Sequence, residues 1–235
     1  MFSLQTLAAL TLGTTMMFEA WGYMLPQQNP TDLLILVNKT NKAPAFPVTL
    51  VKPNVQPTRE SASENIYMRP EAAAALEALF AGAAEDGLTL YATSGYRSYS
   101  TQKAIFERKL DRMSEKQANL SVAKPGYSEH QTGLAMDIEG ETTKGTGLTE
   151  AFGESPEGIW AAKHCAEYGF IIRYPKDKTK ITGYIYEPWH LRYVGREAAQ
   201  EITALDVTFE EYIAMVRSDR IQWLQEETQY DDQNP

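Results

Sequence analysis

Residues 128–137 have the sequence Ser-Glu-His-Gln-Thr-Gly-Leu-Ala-Met-Asp, and this stretch decides how the rest of the chain is organised. From residue 134 to residue 138, apolar residues alternate with Ala and Asp, as expected for a half-buried strand, so Asp137 points off the apolar face. His130 is an odd number of residues away, which on a straight strand would place it on the opposite face. Gly133 is the expected break in the path. The stretch therefore predicts a turn and a strand that bring His130 and Asp137 towards one cleft.

The chain contains three histidines, and a second one closes the tetrapeptide Glu-Pro-Trp-His at residues 187–190. With His130 and Asp137, His190 would give Zn²⁺ three protein ligands and leave a fourth position for water, as in catalytic sites. Glu187 is then the expected general base for that water; its alternative role is to orient the ligand His190. Pro188 predicts a kink or bulge that allows Glu187 and His190 to face the same metal.

Four segments, in a fixed order, carry a resemblance to a known family: Ser94–Ser98 with Gln102, Ser128–Asp137, Tyr168–Pro175 and Glu187–Gly195. They resemble the zinc D-alanyl-D-alanine carboxypeptidases of the vancomycin-resistance type, with their LD-carboxypeptidase and D,D-dipeptidase relatives. The resemblance covers roughly residues 60 to 200, with no departure at a ligand or base position. It implies hydrolysis of the terminal D-alanine from a peptidoglycan stem peptide or its precursor.

Arg97 lies at a predicted junction between a strand and a helix, a common place for a functional side chain. The chain has a net charge of −9, so an anionic substrate has to be held by local cations. We expect Arg97 to pair with the terminal carboxylate or the developing oxyanion of the substrate, and a surface ion pair is the alternative. Gln102 and Ser128 are assigned to the substrate-binding wall by resemblance alone.

Composition limits the class of protein. A length of 235 residues with 43% hydrophobic content suits one domain with a real core, and we expect a monomer. The acidic net charge and the absence of any run of Lys or Arg argue against a nucleic-acid partner. The single cysteine, Cys165, excludes an internal disulfide and is predicted to be a buried, inert thiol. His164, without a partner motif, is predicted to be structural.

The chain divides into four predicted parts. Residues 1–25 resemble the apolar part of a secretory signal or a membrane anchor, although the first basic side chain is Lys39. This segment predicts a bacterial cell-envelope or extracellular location. The alternatives are an ordinary N-terminal helix or a misplaced start codon. If the segment is an ordinary helix and not a signal, the expected location is the cytoplasm. Residues 26–66 contain repeated prolines and predict an extended N-terminal arm. Residues 67–225 form the expected zinc peptidase domain, and 226–235 a polar tail.

The coarse pattern predicts an α+β fold: a small antiparallel sheet flanked by helices, with the zinc site in a cleft on the sheet. Helices are expected to begin at Pro70, after Ser98 or Ser100, at Ser155 and at Thr208. Residues 114–127 are expected to be a polar connection. Residues 170–174 and 181–186 are expected to pair as an antiparallel hairpin.

Within the enzyme class, the sequence leaves LD-carboxypeptidase, D,D-dipeptidase and a phage-lysin-type endopeptidase as alternatives to the D-Ala-D-Ala carboxypeptidase. Pocket shape rather than motif decides the stereochemistry at the penultimate residue. A different class, a non-catalytic wall-binding or zinc-stabilised module, would need neither Glu187 nor Arg97. The presence of both residues favours the enzyme.

Overall fold

The structure is a computed structural model that describes residues 32–45 and 48–219. The signal-like segment 1–25 and the polar tail 226–235 lie outside these residues. Within the described part, the elements in chain order are helix α1 (Pro70–Glu85), strand β1 (Leu90–Ser94), helices α2 (Tyr99–Leu110) and α3 (Glu115–Ser121), strand β2 (Ala135–Gly140), helices α4 (Ala151–Glu154) and α5 (Pro156–His164), strand β3 (Phe170–Tyr174), helix α6 (Thr179–Thr182), strand β4 (Glu187–Tyr193), helix α7 (Arg196–Leu205) and helix α8 (209–219). Short 3₁₀ turns lie at Glu60–Asn65, Glu129–Thr132 and Cys165–Tyr168.

The four strands form one antiparallel sheet in the order β1-β2-β4-β3. Apolar side chains of the sheet pack with helices α1 and α5 in one core cluster, which includes Leu76, Met136 and Leu191. A second cluster joins Ile171 of β3 to helices α7 and α8, including Phe209. Burial of these side chains is the main force that holds helices against the sheet. The α+β prediction, with a small antiparallel sheet and flanking helices, is confirmed.

Several helix boundaries follow from local chemistry. Pro70 begins α1 without the loss of a helical hydrogen bond, since the first N–H groups of a helix have no partner within it. The Ser98 side chain accepts a hydrogen bond from the Thr101 N–H and caps α2. The predicted capping box at Thr208 is present, because Thr208 and Glu211 exchange side-chain-to-backbone hydrogen bonds at the start of α8.

Two predictions of secondary structure are wrong. Residues 181–186 are not the partner strand of β3; Ile181 and Thr182 belong to the helical turn α6, which ends at Gly183 in the left-handed conformation (φ 78°). The partner of β3 is β4, so the hairpin closes over a longer connection. The expected polar connection 114–127 contains helix α3, which a Ser114–Gln117 capping box begins.

The N-terminal arm packs on the domain although its apolar run is not a strand. Ile35, Leu36 and Val37 are all buried; Ile35 and Val37 belong to the first core cluster and Leu36 to the second. The guanidinium of Arg192 in β4 donates hydrogen bonds to the carbonyl oxygens of Leu33 (2.9 Å) and Ile35 (2.8 Å). The arm is therefore anchored directly on a central strand. Among residues 32–45 and 48–219, no helix combines the length and the apolar character needed to cross a bilayer.

Candidate metal centre

The strand pairing places two of the predicted ligands opposite each other. Asp137 of β2 and His190 of β4 are direct partners in the antiparallel register. Between the pairs Ile172–Leu191 and Tyr174–Glu187, β4 contains two more residues than β3. This bulge surrounds Pro188, as expected from a residue that cannot donate to the ladder. The strand does not follow regular alternation across this bulge, and Glu187 and His190, three residues apart, both line the same cleft.

The third predicted ligand, His130, lies in the 3₁₀ turn immediately before β2. The turn ends at Gly133, whose left-handed conformation (φ 72°) lets the chain change direction between His130 and Asp137. A side chain at Gly133 would also meet Leu50 at 2.8 Å. The predicted break at this glycine is confirmed.

The donor atoms of the three residues converge at one point. His190 Nδ1 lies 2.9 Å from Asp137 Oδ1, and His130 Nε2 lies 3.3 Å from Asp137 Oδ2. One ligand atom from each residue can be chosen so that all lie within 4.8 Å of one another. All three side chains are buried, and two imidazoles with one carboxylate form a donor set that suits a catalytic metal ion.

Hydrogen bonds select which imidazole nitrogen faces the site. His130 Nδ1 lies 2.7 Å from the Gly95 carbonyl oxygen, so it donates there and Nε2 retains its lone pair. His130 Nε2 is buried and has no hydrogen-bond partner among the described residues. A buried polar atom without a partner is costly, and a metal ion at this position would satisfy it. The residues present therefore fit a metal.

Burial and neighbouring charges set the protonation of the ligands. Burial lowers the pKa of His130 to about 4, so its imidazole is neutral at pH 7. Burial raises the pKa of Asp137, but the two neighbouring histidines outweigh it and hold that pKa well below its usual range. Burial also disfavours the charged form of His190, yet hydrogen bonds to Asp137 and Glu129 raise its pKa to about 9.

These directions give a testable pH dependence of metal binding. The metal-free protein carries a proton on His190 below about pH 9, and the metal must displace it. We expect about one proton to be released per ion at pH 7, and affinity to fall about tenfold per pH unit as the pH decreases. Calorimetric titrations in buffers of different ionisation enthalpy measure this number directly. Metal binding with no proton release at pH 7 would contradict the assignment.

Glu129, which the sequence analysis did not single out, contacts the candidate ligand His190. Its Oε2 lies 3.3 Å from His190 Nε2, and its Oε1 accepts hydrogen bonds from Arg173 (2.7 Å) and Arg192 (2.6 Å). Burial opposes its ionisation, but the two arginines hold the pKa of Glu129 below its usual range. As an anion it accepts the Nε2 proton of His190, which directs Nδ1 towards the site. The signal available in the sequence was the presence of two arginines in strand segments that are otherwise largely apolar, since a buried arginine needs a carboxylate partner.

Arg173 and Arg192 connect Glu129, and through it His190, to other parts of the molecule. Arg173 also pairs with Glu210 of α8 at 2.6 Å, while Arg192 holds the N-terminal arm. All four N–H···O contacts to Glu129 and Glu210 involve ionised groups, which form stronger hydrogen bonds than neutral pairs. The orientation of His190 therefore depends on elements at both ends of the described chain.

We expect Glu129→Gln to weaken metal affinity by about 10- to 100-fold, because the amide is a weaker acceptor and leaves the arginines partly uncompensated. Competition with a chromophoric chelator measures the affinity, and thermal unfolding reports any loss of stability separately. Glu157→Gln is the matched control, since Glu157 is a buried carboxylate that accepts hydrogen bonds from Thr142 and lies outside the site. Unchanged metal affinity in Glu129→Gln would remove Glu129 from its positioning role.

A cleft of about 500 Å³ opens over the donor atoms. The structure brings all the predicted site residues to this one cleft: Arg97, Gln102, Ser128, His130, Asp137, Glu187 and His190. Aromatic side chains, Tyr174, Tyr184 and Trp189, line it as well. His164 is elsewhere; it pairs with Glu167 and stacks on Trp160.

Arg97 and Gln102 form one unit in the wall of the cleft. Arg97 Nη1 donates to Gln102 Oε1 at 3.0 Å, and Gln102 Nε2 donates to the Ala123 carbonyl oxygen at 2.7 Å. Arg97 Nη2 lies 3.5 Å from Asp137 Oδ2, and its Nε is buried without a hydrogen-bond partner among the described residues. Gln102 is fully buried and fixes the guanidinium. The arginine therefore presents an unsatisfied donor next to the site.

Glu187 has the properties of a group that exchanges protons near neutrality. Its side chain is 6% exposed, and burial raises its pKa to about 7, against the opposing effect of His190. Asp137 raises the pKa further, whereas Arg97 and Lys39 lower it. A carboxyl with such a pKa in a cleft is a candidate general acid and base. Cys165, in contrast, is buried with its pKa raised to about 12, as predicted for an inert thiol.

A His/Asp/His donor set with a buried carboxyl in an open cleft is the arrangement of a mononuclear metallohydrolase. The sequence profile of one family, described as VanY: D-alanyl-D-alanine carboxypeptidase, matches residues 65–196. The chain belongs to this family. The resemblance drawn from the four sequence segments is thereby confirmed.

Individual relatives agree with this membership. The chain is 38% identical over 189 residues to the D-alanyl-D-alanine carboxypeptidase of Enterococcus faecalis (strain ATCC 700802 / V583), covering 77% of this chain and 65% of that protein. Its fold is similar to that of the LdcB LD-carboxypeptidase, with a TM-score of 0.74, 49% identity and coverage of 80% and 88% of the two chains. It is also similar to a variant of the vancomycin-resistance D,D-pentapeptidase VanY in complex with Zn(II), with a TM-score of 0.63, 36% identity and coverage of 77% and 98%.

Proposed function

We propose that this protein is a zinc-dependent carboxypeptidase that removes the C-terminal D-alanine from peptidoglycan stem peptides. The observation that carries the proposal is that one cleft contains a buried His/Asp/His donor set, a carboxyl with a pKa near 7 and a half-buried arginine. The names of the relatives add the substrate class: one acts on D-alanyl-D-alanine, and another is a D,D-pentapeptidase.

His130 Nε2, the Asp137 carboxylate and His190 Nδ1 would hold the ion. Zinc is favoured because the donor set contains nitrogen and oxygen without thiolate, and because a VanY structure contains Zn(II). When bound, zinc acts as a Lewis acid towards the scissile carbonyl and lowers the pKa of water to about 7.

Glu187 performs the proton transfers. As the general base it removes a proton from the attacking water while the new C–O bond forms at the peptide carbonyl. It then donates that proton to the nitrogen of the departing D-alanine as the C–N bond breaks. A pKa near 7 suits both steps, since the group must give up the proton that it has just accepted.

Arg97 binds the anionic end of the substrate. Its partly exposed guanidinium, which lines the cleft, suits the terminal carboxylate that distinguishes a carboxypeptidase substrate from an internal peptide bond. Gln102 sets the orientation of the guanidinium. Ser128, buried in the same wall, provides a further hydroxyl donor to the substrate.

We expect Arg97→Lys to lower kcat/KM by at least about tenfold, because an ammonium cannot reproduce a two-point contact from the same position. Steady-state kinetics on a D-Ala-D-Ala pentapeptide measure the effect, with metal content determined in parallel. Arg108→Lys, at the last turn of α2, is the control for an exchange of the same two side chains. A wild-type kcat/KM in Arg97→Lys would show that the proposed geometry is wrong.

A second candidate within the same chemistry is LD-carboxypeptidase activity, favoured by the 49% identity to the LdcB enzyme. The zinc-loaded protein should be incubated separately with a D-Ala-D-Ala pentapeptide, the corresponding L,D-tetrapeptide and free D-Ala-D-Ala. We expect D-alanine and a tetrapeptide from the first substrate. Release from the tetrapeptide alone would assign LD specificity, and cleavage of the free dipeptide alone would assign a D,D-dipeptidase.

We further propose that the protein acts as a monomer in the bacterial cell envelope or outside the cell, where stem peptides are exposed. Its acidic net charge of −9 supports the absence of a nucleic-acid partner. Contact with the membrane would involve only the N-terminal segment.

A further inference from the structure

A second, smaller cavity of about 160 Å³ lies beside the cleft. It adjoins the cleft through consecutive residues: Ala123 and Ser128 line the cleft, whereas their chain neighbours Lys124 and Tyr127 line the cavity. The four lining residues of the cavity are Lys39, Asn119, Lys124 and Tyr127. All four carry hydrogen-bond donors, and two of them, Lys39 and Lys124, are cationic.

Lys39 reaches this cavity from the N-terminal arm. Its ammonium donates to the backbone and side-chain oxygens of Asn119 and stands 3.2 Å above the ring centroid of Tyr184, a residue of the cleft. Within residues 32–45 and 48–219, Lys39 forms no salt bridge with a carboxylate. Half-burial lowers its pKa to about 8, so its charged form lacks full compensation. A negatively charged ligand group would supply that compensation.

The surrounding positions are fixed and positively charged. The Ala43 N–H donates to the Gly126 carbonyl oxygen at 2.9 Å, which ties the arm to the turn that carries Lys124. Lys124 pairs with Glu115 at 2.7 Å on its exposed side, and the Lys42 ammonium lies 5.7 Å from the ring centroid of Tyr127. Two lysines, Lys39 and Lys124, therefore line one small cavity, although the chain as a whole has a net charge of −9.

We propose that Lys39 and Lys124 form a subsite for a second carboxylate of the substrate, on a residue upstream of the scissile bond. The inference rests on the proposed function: the residue removed ends the peptide and has its carboxylate at Arg97, so any other carboxylate must lie upstream. A cavity of 160 Å³ has room for a carboxylate and a few waters, each of which occupies about 30 Å³ in the liquid. The N-terminal arm, outside the matched residues 65–196, would thus take part in substrate selection.

The test compares two peptides that end in D-Ala-D-Ala and differ only in a carboxylate or a carboxamide on an upstream side chain. We expect the wild-type protein to favour the carboxylate by about tenfold in kcat/KM, the size of one charge-assisted hydrogen bond. Lys39→Met keeps the aliphatic stem that packs against Gly183 and should abolish the preference. Lys52→Met, on an exposed part of the arm, changes the net charge equally and should retain it.

The outcomes separate the subsite from the proposed function. Equal cleavage of both peptides by the wild-type protein, or a preference that persists in Lys39→Met, would overturn the subsite and leave the carboxypeptidase assignment intact. Failure to cleave either peptide would contradict the proposed function. In that case, calorimetric affinities of the zinc-loaded Glu187→Gln protein for the same two peptides still test whether the carboxylate subsite exists, because binding needs no turnover. A carboxylate preference that depends on Lys39 supports it, and equal affinities reject it.

Discussion

Glu187→Gln is expected to lower kcat by at least about 10²-fold while zinc and substrate remain bound, because the amide cannot accept the proton of the attacking water. The alternative role, orientation of His190, is disfavoured by the hydrogen bonds of that imidazole. His190 Nδ1 faces Asp137 at 2.9 Å and its Nε2 faces Glu129 at 3.3 Å, so neither nitrogen is available to Glu187. A general base can be removed without emptying the metal site, whereas loss of an orienting group loosens the metal.

The measurement combines single-turnover kinetics with metal analysis of the purified variant. Glu139→Gln is the matched control, since Glu139 is a buried carboxylate on β2 that approaches Thr93 and does not line the cleft. The control should keep wild-type kcat. A Glu187→Gln variant that turned over at the wild-type rate, or that lost its zinc, would show that Glu187 is not the acid and base.

Alanine at any one of His130, Asp137 or His190 is expected to reduce bound zinc from about one ion per chain to near zero after dialysis. Each residue supplies one of three donor atoms that lie within 4.8 Å of one another, and two donors do not make a stable catalytic site. Metal analysis by mass spectrometry measures the occupancy. Activity should be lost in parallel.

His164→Ala provides the control for the removal of an imidazole. His164 is exposed on one side, pairs with Glu167 and lies outside the cleft, so its loss should leave zinc occupancy unchanged. Full occupancy in any of the three ligand variants would exclude that residue from the site. Loss of zinc in His164→Ala would indicate that the metal is bound elsewhere.

Much of the fold could be predicted because its signals are local. Alternation at residues 134–138, the proline at the start of α1 and the capping residues all act within a few positions of the chain. The bulge at Pro188 could be inferred from the proline, which cannot donate to the ladder, and from the odd separation of Glu187 and His190. The partner of β3 could not, because residues 181–186 are rich in the β-branched and aromatic residues typical of strands, whereas the strand that pairs with β3 is β4.

The same distinction between local and long-range signals holds for the candidate metal site. Three histidines left few possible ligand sets, so the convergence of His130, Asp137 and His190 could be predicted. The role of Glu129 could not, because its arginine partners lie 44 and 63 residues further along the chain. Lys39 was likewise hidden in the extended arm, where nothing in the local sequence relates it to Tyr184 or to the cleft.

Release of D-alanine from a D-Ala-D-Ala pentapeptide, measured as zinc is returned to the chelated protein, tests the zinc carboxypeptidase assignment most directly. We expect no release without metal, a linear increase up to about one equivalent of zinc per chain, and a plateau beyond it. Release at the full rate in the presence of excess chelator, or no release at any zinc concentration, would contradict it.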